Sequence, residues 1–204
     1  NLPGKFALYV GDINYNKNIP TLIKACGLAK IPLVICGKQA LKIEDQGVDL
    51  RVLEGPMDYV RFLFNLPHPE LAHFKKLIRE FRGNKDVMRL GFVSDEDLVA
   101  IYNLATVYCQ PSFYEGFGLP ILEAMACECP VVASKTQTLV EIGEGAALFA
   151  DTKDPKDMAE KISTILNDSG TRDQLVETGK VLVKNFSWEK TARETLDLYS
   201  SLMP

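Results

Sequence analysis

No apolar run in this sequence reaches the roughly 20 residues that a membrane-spanning helix needs, and its start, Asn1-Leu2-Pro3-Gly4-Lys5, resembles no secretory signal. Positive charge is not in excess either: 23 Lys and Arg stand against 27 Asp and Glu, a net charge of -4. With no long basic tract, nucleic acid is not an expected partner, and no segment is suited to an anionic membrane surface. Histidine is scarce, with two copies, His68 and His73. Five apart on a helix that reads as exposed, they do not share a face, so neither is a strong base or ligand candidate. The five cysteines, Cys26, Cys36, Cys109, Cys127 and Cys129, are odd in number and lack a framework spacing. Reduced thiols in a cytoplasmic protein are therefore expected. Cys127-Glu128-Cys129 has no second pair nearby to complete a metal site, and packing is the simpler role for both thiols.

What remains is ample for one globular domain: 204 residues, 47% of them hydrophobic. The chain has no initiator Met and enters a strand-like run, Phe6 to Val10, almost at once. It reads as a piece cut at a domain boundary, with more protein expected upstream. Apolar strand candidates follow at Pro32 to Cys36, Val87 to Leu90, Val107 to Cys109, Val131 to Ala133 and Ala147 to Phe149. Helical spacing is clearest over Asn18 to Ala29, His68 to Phe81, Asp95 to Ala105 and Pro120 to Cys127. Such alternation implies right-handed crossovers and a parallel sheet, hence an α/β, doubly wound Rossmann-like domain over residues 1–204. Ser94 with Asp97 and Asp154 with Pro155 read as helix starts. Beyond the last strand the spacing predicts three helices, Asp157 to Leu166, Thr171 to Lys184 and Trp188 to Leu202, which must wrap the sheet or reach toward a partner. Trp188, following the capping Ser187, reads as a packing anchor. Between Leu41 and Leu66, Val48 to Leu53 reads as an extra strand and Met57 to Leu66 as a helix, interrupted by Gly and Pro.

In an open parallel sheet, ligands bind beyond the carboxyl ends of the strands. Four loops there begin with or contain glycine: Gly11 to Asn18 with Lys17 just before a helix, Gly37-Lys38, Gly91 to Ser94, and Glu115-Gly116-Phe117-Gly118-Leu119-Pro120. The last is the most informative. Glycine permits close backbone approach, Pro120 suits the first position of a helix, and the amides of Gly118 and Leu119 at that helix start would face an anion such as phosphate. Glu115 and Glu123, flanking the site, are poor phosphate ligands but good acceptors for hydroxyl protons, which suggests a sugar or ribose. Neither a P-loop nor a Gly-x-Gly-x-x-Gly fingerprint is present, and no Asp-x-Asp follows a strand to hold a divalent metal.

The Glu115 to Pro120 loop, Leu122-Glu123-Ala124-Met125-Ala126 and Pro130 to Ser134 resemble the sugar-nucleotide-binding half of family 4 (group 1) retaining glycosyltransferases of GT-B fold. Tyr9-Val10-Gly11 with Lys17-Asn18, Leu90 to Ser94, and Phe186-Ser187-Trp188 are similar to that family in the same order. The resemblance covers nearly the whole chain except Leu41 to Leu66. It implies a C-terminal, donor-binding domain whose N-terminal, acceptor-binding partner domain lies outside this chain. It further implies that Glu115 sits beside the donor sugar and Glu123 binds the ribose. Backbone amides of Phe117, Gly118 and Leu119 would hold sugar and diphosphate, Val93 would lie near the base, and Lys17 would bind phosphate. Gly11 and Gly116 shape the two loops.

The family usually carries an arginine directly after the first-loop glycine, where this chain has Asp12. A carboxylate there removes one diphosphate clamp, unless it caps its own loop; Lys38 is the nearest substitute cation, with Lys135 another. The expectation is a metal-independent transferase with no cofactor. Its donor would be a UDP-, GDP- or ADP-sugar and its acceptor a carbohydrate or a lipid-linked one, reached through the absent domain, as would be any peripheral membrane contact. The isolated domain should be inactive or poorly active. The competing expectation is a non-catalytic sugar-nucleotide or protein-binding module of the same fold.

Overall fold

The computed structural model describes residues 1–42 and 69–202. The expected strand at Val48 to Leu53, the helix at Met57 to Leu66, and His68 lie outside the described residues. Strands β1 (Ala7–Val10), β2 (Leu33–Cys36), β3 (Val87–Gly91), β4 (Val107–Gln110), β5 (Val131–Ser134) and β6 (Ala147–Ala150) form one sheet in the order β3-β2-β1-β4-β5-β6. Every pairing in it is parallel, with Ala7 opposite both Leu33 and Val107. The strand order reverses between β1 and β4, so the exits of these two neighbours part and leave a crevice at the carboxyl rim.

Because the inner strands β1, β2, β4 and β5 are covered on both sides, they are nearly continuous apolar runs rather than alternating ones, while the edge strands β3 and β6 are partly exposed. Ala7, Tyr9, Leu33, Ile35, Val107 and Cys109 point to one core, and Phe6, Leu8, Val34, Tyr108, Val131 and Ala133 to the other. The first core is closed by α1 (Ile19–Ala29), α3 (Pro69–Phe81) and, after β6, α7 (Pro155–Asn167). The second is closed by α4 (Asp95–Leu104), α5 (Leu119–Ala126) and α6 (Gln137–Gly143). A short α2 (Lys38–Lys42) follows β2. Neither α2 nor α6 stands out in the sequence: one has five residues, the other seven, and the Thr136 side chain makes no capping bond.

Helix starts follow capping chemistry. The Asp97 amide donates to Ser94 Oγ at 3.2 Å, and the Lys156 amide donates to Asp154 Oδ1 at 2.8 Å. Helix α5 starts one residue earlier than expected: Gly118 is its N-cap, Leu119 its first residue, and Pro120 sits second.

Helices α8 (Ser169–Leu182) and α9 (Trp188–Leu202) complete the chain. Leu175 and Gly179 of α8 are buried, the latter against Met125 of α5. Helix α9 buries none of its residues. The Lys190 amide does donate to Ser187 Oγ at 3.0 Å, but Trp188 is 75% exposed and anchors nothing, because no surface of the described chain faces it. His73 departs from expectation in the opposite direction. It is buried, with Nε2 3.1 Å from the Ile13 carbonyl oxygen and its ring edge-on to Tyr15, because α3 lays this face on the loop after β1.

Candidate functional site

The crevice is built from the exits of β1 and β4. The chain leaves β1 through Gly11, whose amide donates to the Cys36 carbonyl at 2.9 Å and whose φ is 139°. Tyr9 is buried beneath the turn and donates its hydroxyl to the Asp12 carbonyl at 2.6 Å. Burial, followed by the charges of Glu115 and Asp12, pushes the Tyr9 phenol well above its ordinary range, so it remains a donor. A β-carbon on Gly37 would lie 2.1 Å from the Gly11 carbonyl oxygen; the first two exits pack this closely only because Gly37 has none.

Asn18 locks the far end of the first loop. In the left-handed conformation (φ 51°) and buried, it donates from Nδ2 to the carbonyls of Pro111 (3.1 Å) and Thr152 (2.6 Å), while accepting from Thr21 at 2.7 Å. The Phe113 amide donates to the Asn16 carbonyl at 2.8 Å. The loops after β1, β4 and β6 are thereby joined, and Lys17 is delivered to the glutamate loop.

Lys17 Nζ lies 2.8 Å from Glu115 Oε1 and 3.0 Å from Oε2, with 20% of the lysine side chain and 11% of the glutamate side chain exposed. Glu115 has two further donors that sequence reasoning did not single out. Ser112 Oγ donates to Oε1 at 2.6 Å, and Gln110 Nε2 donates to the same oxygen. Gln110 and Ser112 are buried, and Tyr108 donates to Gln110 Oε1. The available signal was Gln110 itself, a polar residue ending an otherwise apolar buried strand, which requires partners.

Beyond Gly118, the eight residues of α5 present a helix N-terminus, with Gly118 at φ 106° as its cap. Glu123, exposed, accepts from the buried Tyr102 hydroxyl at 3.0 Å. That phenol is pushed far above its usual range by burial first and Glu123 second. Phe117 is half exposed and meets Phe186 edge-on at 6.0 Å. Lys38 stands 5.1 Å over the ring of exposed Phe92, and Val93 is half-buried against the second core.

The structure thus joins Lys17 and Glu115 directly and packs Gly11 on Gly37. No hydrogen bond or ion pair among the described residues links Glu123 or Lys38 to that pair. The Asp12 side chain is exposed and, among the described residues, accepts no hydrogen bond, so it does not cap its loop; the loop is held through the Asp12 carbonyl instead. Lys135 is exposed too, with its amide on the Ala150 carbonyl. Behind the first loop, a cavity of about 380 Å³ is bounded by Tyr15, Asn18, Thr21, His73, Phe113 and Lys153; Lys17, Glu115, Glu123 and Lys38 do not line it. Burial pushes the Cys26 and Cys129 thiols to about 12 and Cys36 to about 11, which leaves them poor nucleophiles. Among the described residues no three His, Cys, Asp or Glu side chains gather as a metal site, and no helix is long and apolar enough to cross a membrane.

The strand order, the switch-point crevice, and the lysine and carboxylates on its rim define a doubly wound α/β domain with a polar, charged carboxyl edge. The chain belongs to the glycosyl transferases group 1 family, whose pattern residues 1–182 match. It is 34% identical over 199 residues to the O-antigen chain mannosyltransferase B of Escherichia coli, covering 97% of this chain and 46% of that protein. It is 36% identical over 129 residues to the D-inositol 3-phosphate glycosyltransferase of Corynebacterium efficiens, covering 62% of this chain and 30% of that protein. The chain therefore spans less than half the length of these curated relatives. Among solved structures, sucrose-phosphate synthase from Thermosynechococcus elongatus superposes with a TM-score of 0.72 at 29% identity, over 98% of this chain and 46% of that one. Anabaena HepE in complex with UDP and glucose superposes with a TM-score of 0.70 at 22% identity, over 98% and 49% of the two chains, a likeness of fold. The architecture is the Rossmann-like half of a GT-B glycosyltransferase.

Proposed function

We propose that this chain is the C-terminal, donor-binding domain of a retaining, metal-independent glycosyltransferase that uses a nucleoside diphosphate sugar. The observation that carries the reading is the Lys17–Glu115 pair, held where the exits of β1 and β4 part. A lysine and a carboxylate side by side match the two ends of such a donor: the ammonium meets diphosphate, and the carboxylate accepts from sugar hydroxyls. The start of α5, behind Phe117, Gly118 and Leu119, adds backbone donors and the positive end of a helix dipole. Exposed Glu123 is assigned to the ribose and Val93 to the base, and Lys38, held over the exposed Phe92 ring, is the nearest substitute for the missing diphosphate-clamping arginine.

In the reaction the bond from the anomeric carbon to the phosphate oxygen breaks, and the acceptor oxygen bonds to that carbon on the same face. The acceptor's proton passes to the leaving diphosphate, whose charge Lys17 and the helix start stabilise as preorganised electrostatics. Glu115 orients the sugar. The opposite wall of the crevice, and the carbohydrate or lipid-linked acceptor with any membrane contact, belong to the N-terminal domain of the intact protein; that the chain spans less than half the length of its relatives supports that division. The five free cysteines fit a cytoplasmic location.

The test is donor turnover by the intact protein, with GDP-mannose, UDP-glucose and ADP-glucose, in wild type and Glu115→Ala. Wild-type turnover of one donor, lost by about a hundredfold or more in the variant with an unchanged fold, is expected. The second reading, a binding module without turnover, draws on exposed Asp12, which sets a negative charge beside the diphosphate position. Tight binding without hydrolysis or transfer across the donors would select it.

A further inference from the structure

Resting on the assignment of Glu115 to the donor sugar, we propose that its two carboxylate oxygens have separate tasks. Oε1 is a fixed anchor held by Gln110 and Ser112, and Oε2 is the oxygen that sugar hydroxyls reach when Lys17 turns to phosphate. Three donors converge on Oε1: Lys17 Nζ at 2.8 Å, Ser112 Oγ at 2.6 Å and Gln110 Nε2. Oε2 receives only Lys17, at 3.0 Å, among the described residues. A carboxylate oxygen has about two lone-pair sites. Oε1 is therefore saturated by the protein, whereas Oε2 depends wholly on the one partner that a phosphate would draw away.

The anchor is directional. The Tyr108 hydroxyl donates to Gln110 Oε1, which turns the amide so that Nε2 faces Ser112 and Glu115. Gln110 Nε2 also donates to Ser112 Oγ at 3.1 Å, and this hydroxyl has its own proton left for Glu115. Tyr108 and Ser112 are 0% exposed and Gln110 is 1% exposed, so water does not compete for these bonds. The Tyr108 phenol, pushed well above its ordinary range chiefly by burial, stays a donor. Without this anchor, departure of Lys17 would leave a largely buried carboxylate free to rotate, and sites of this kind tolerate misplacement of only about 0.5 Å. Gln110 and Ser112 are thus positioning residues that act on the sugar through Glu115.

The test uses the intact protein with GDP-mannose, UDP-glucose and ADP-glucose, each against its own nucleoside diphosphate, by calorimetry. The readout is the ratio of the two dissociation constants, which a general loss of fold would not shift selectively. In Ser112→Ala and Gln110→Met, preference for the sugar-bearing ligand should fall roughly ten- to hundredfold with affinity for the diphosphate unchanged, and Ser112→Thr should restore it. Ser112→Ala alone is decisive where Gln110→Met does not fold. Should Glu115→Ala lose the preference while Ser112→Ala keeps it, the anchor is wrong and the sugar assignment stands. If Glu115→Ala keeps it too, or no donor is bound, the sugar assignment itself is wrong and the anchor falls with it.

Discussion

On the proposed assignment Lys17 is the residue that meets the phosphate, and its removal should separate binding from folding. Glu115 keeps Gln110 and Ser112 as donors in Lys17→Ala, so no buried carboxylate is left bare. A partly exposed ion pair contributes about 1 kcal/mol or less, and the melting transition should move accordingly little. Binding is different, because a hydrogen bond to a charged group is worth about 1.5–3 kcal/mol, or roughly ten- to a hundredfold in affinity. Calorimetry of Lys17→Ala with a nucleoside diphosphate should show that loss; unchanged affinity would remove Lys17 from the phosphate. Asp12 makes the converse case. Its carboxylate is exposed and has no hydrogen-bond partner among the described residues, so Asp12→Arg disturbs no contact while reversing a charge beside the proposed diphosphate. Diphosphate affinity should rise about tenfold at low salt and the gain should shrink as salt is added, as screened charges require. A salt-independent or absent gain would show that Asp12 faces away from the ligand.

At the scale of elements, the close approach of the β1 and β2 exits sets where the rim lies. In Gly37→Ala the new β-carbon would fall 2.1 Å from the Gly11 carbonyl oxygen, a backbone atom that cannot rotate aside. Overpacking of this kind costs typically 1–3 kcal/mol or more. The expected outcome is a lower denaturation midpoint together with weaker diphosphate binding, since the displaced strand exit carries the loop of Lys17; a loss of stability with binding intact would uncouple the two. The inner strands were legible because both faces are buried, and the edge strands because their apolar runs are bounded by glycine, proline and polar residues. The loops were legible because strand ends in a parallel sheet share one rim. Helices α2 and α6 were not, being too short for a period to show. The exposed reading of His73 and the buried reading of Trp188 both failed because tertiary placement, not local sequence, decides which helix faces find a neighbour. Within the site, Lys17 and Glu115 could each be named, but their pairing depends on Asn18 tying three loops together, a long-range fact with no local signal.

For the molecule as a whole, the cysteines tie its cohesion to pH. Cys26, Cys36, Cys109 and Cys129 are all buried against the sheet. Burial raises Cys26 and Cys129 to about 12 and Cys36 to about 11, and drives Cys109 up as well. In the unfolded chain these thiols titrate near 8.5. The sign follows directly: above that value the unfolded chain loses protons that the folded chain retains, so raising the pH favours unfolding. The stability these groups contribute is full below about pH 8.5, where both states are protonated. It declines through the window up to the folded values of about 11 to 12. Within that window each thiol lowers stability by up to about 1.4 kcal/mol per pH unit. Urea midpoints measured from pH 7 to pH 10 should be level at first and then fall. A midpoint independent of pH would mean that the thiols are already accessible in the folded protein. A thiol reagent gives an independent check: Cys127 is the one half-buried thiol of the five and should react first, slowed because burial and the charge of Glu123 raise its pKa, and the other four only as the chain unfolds.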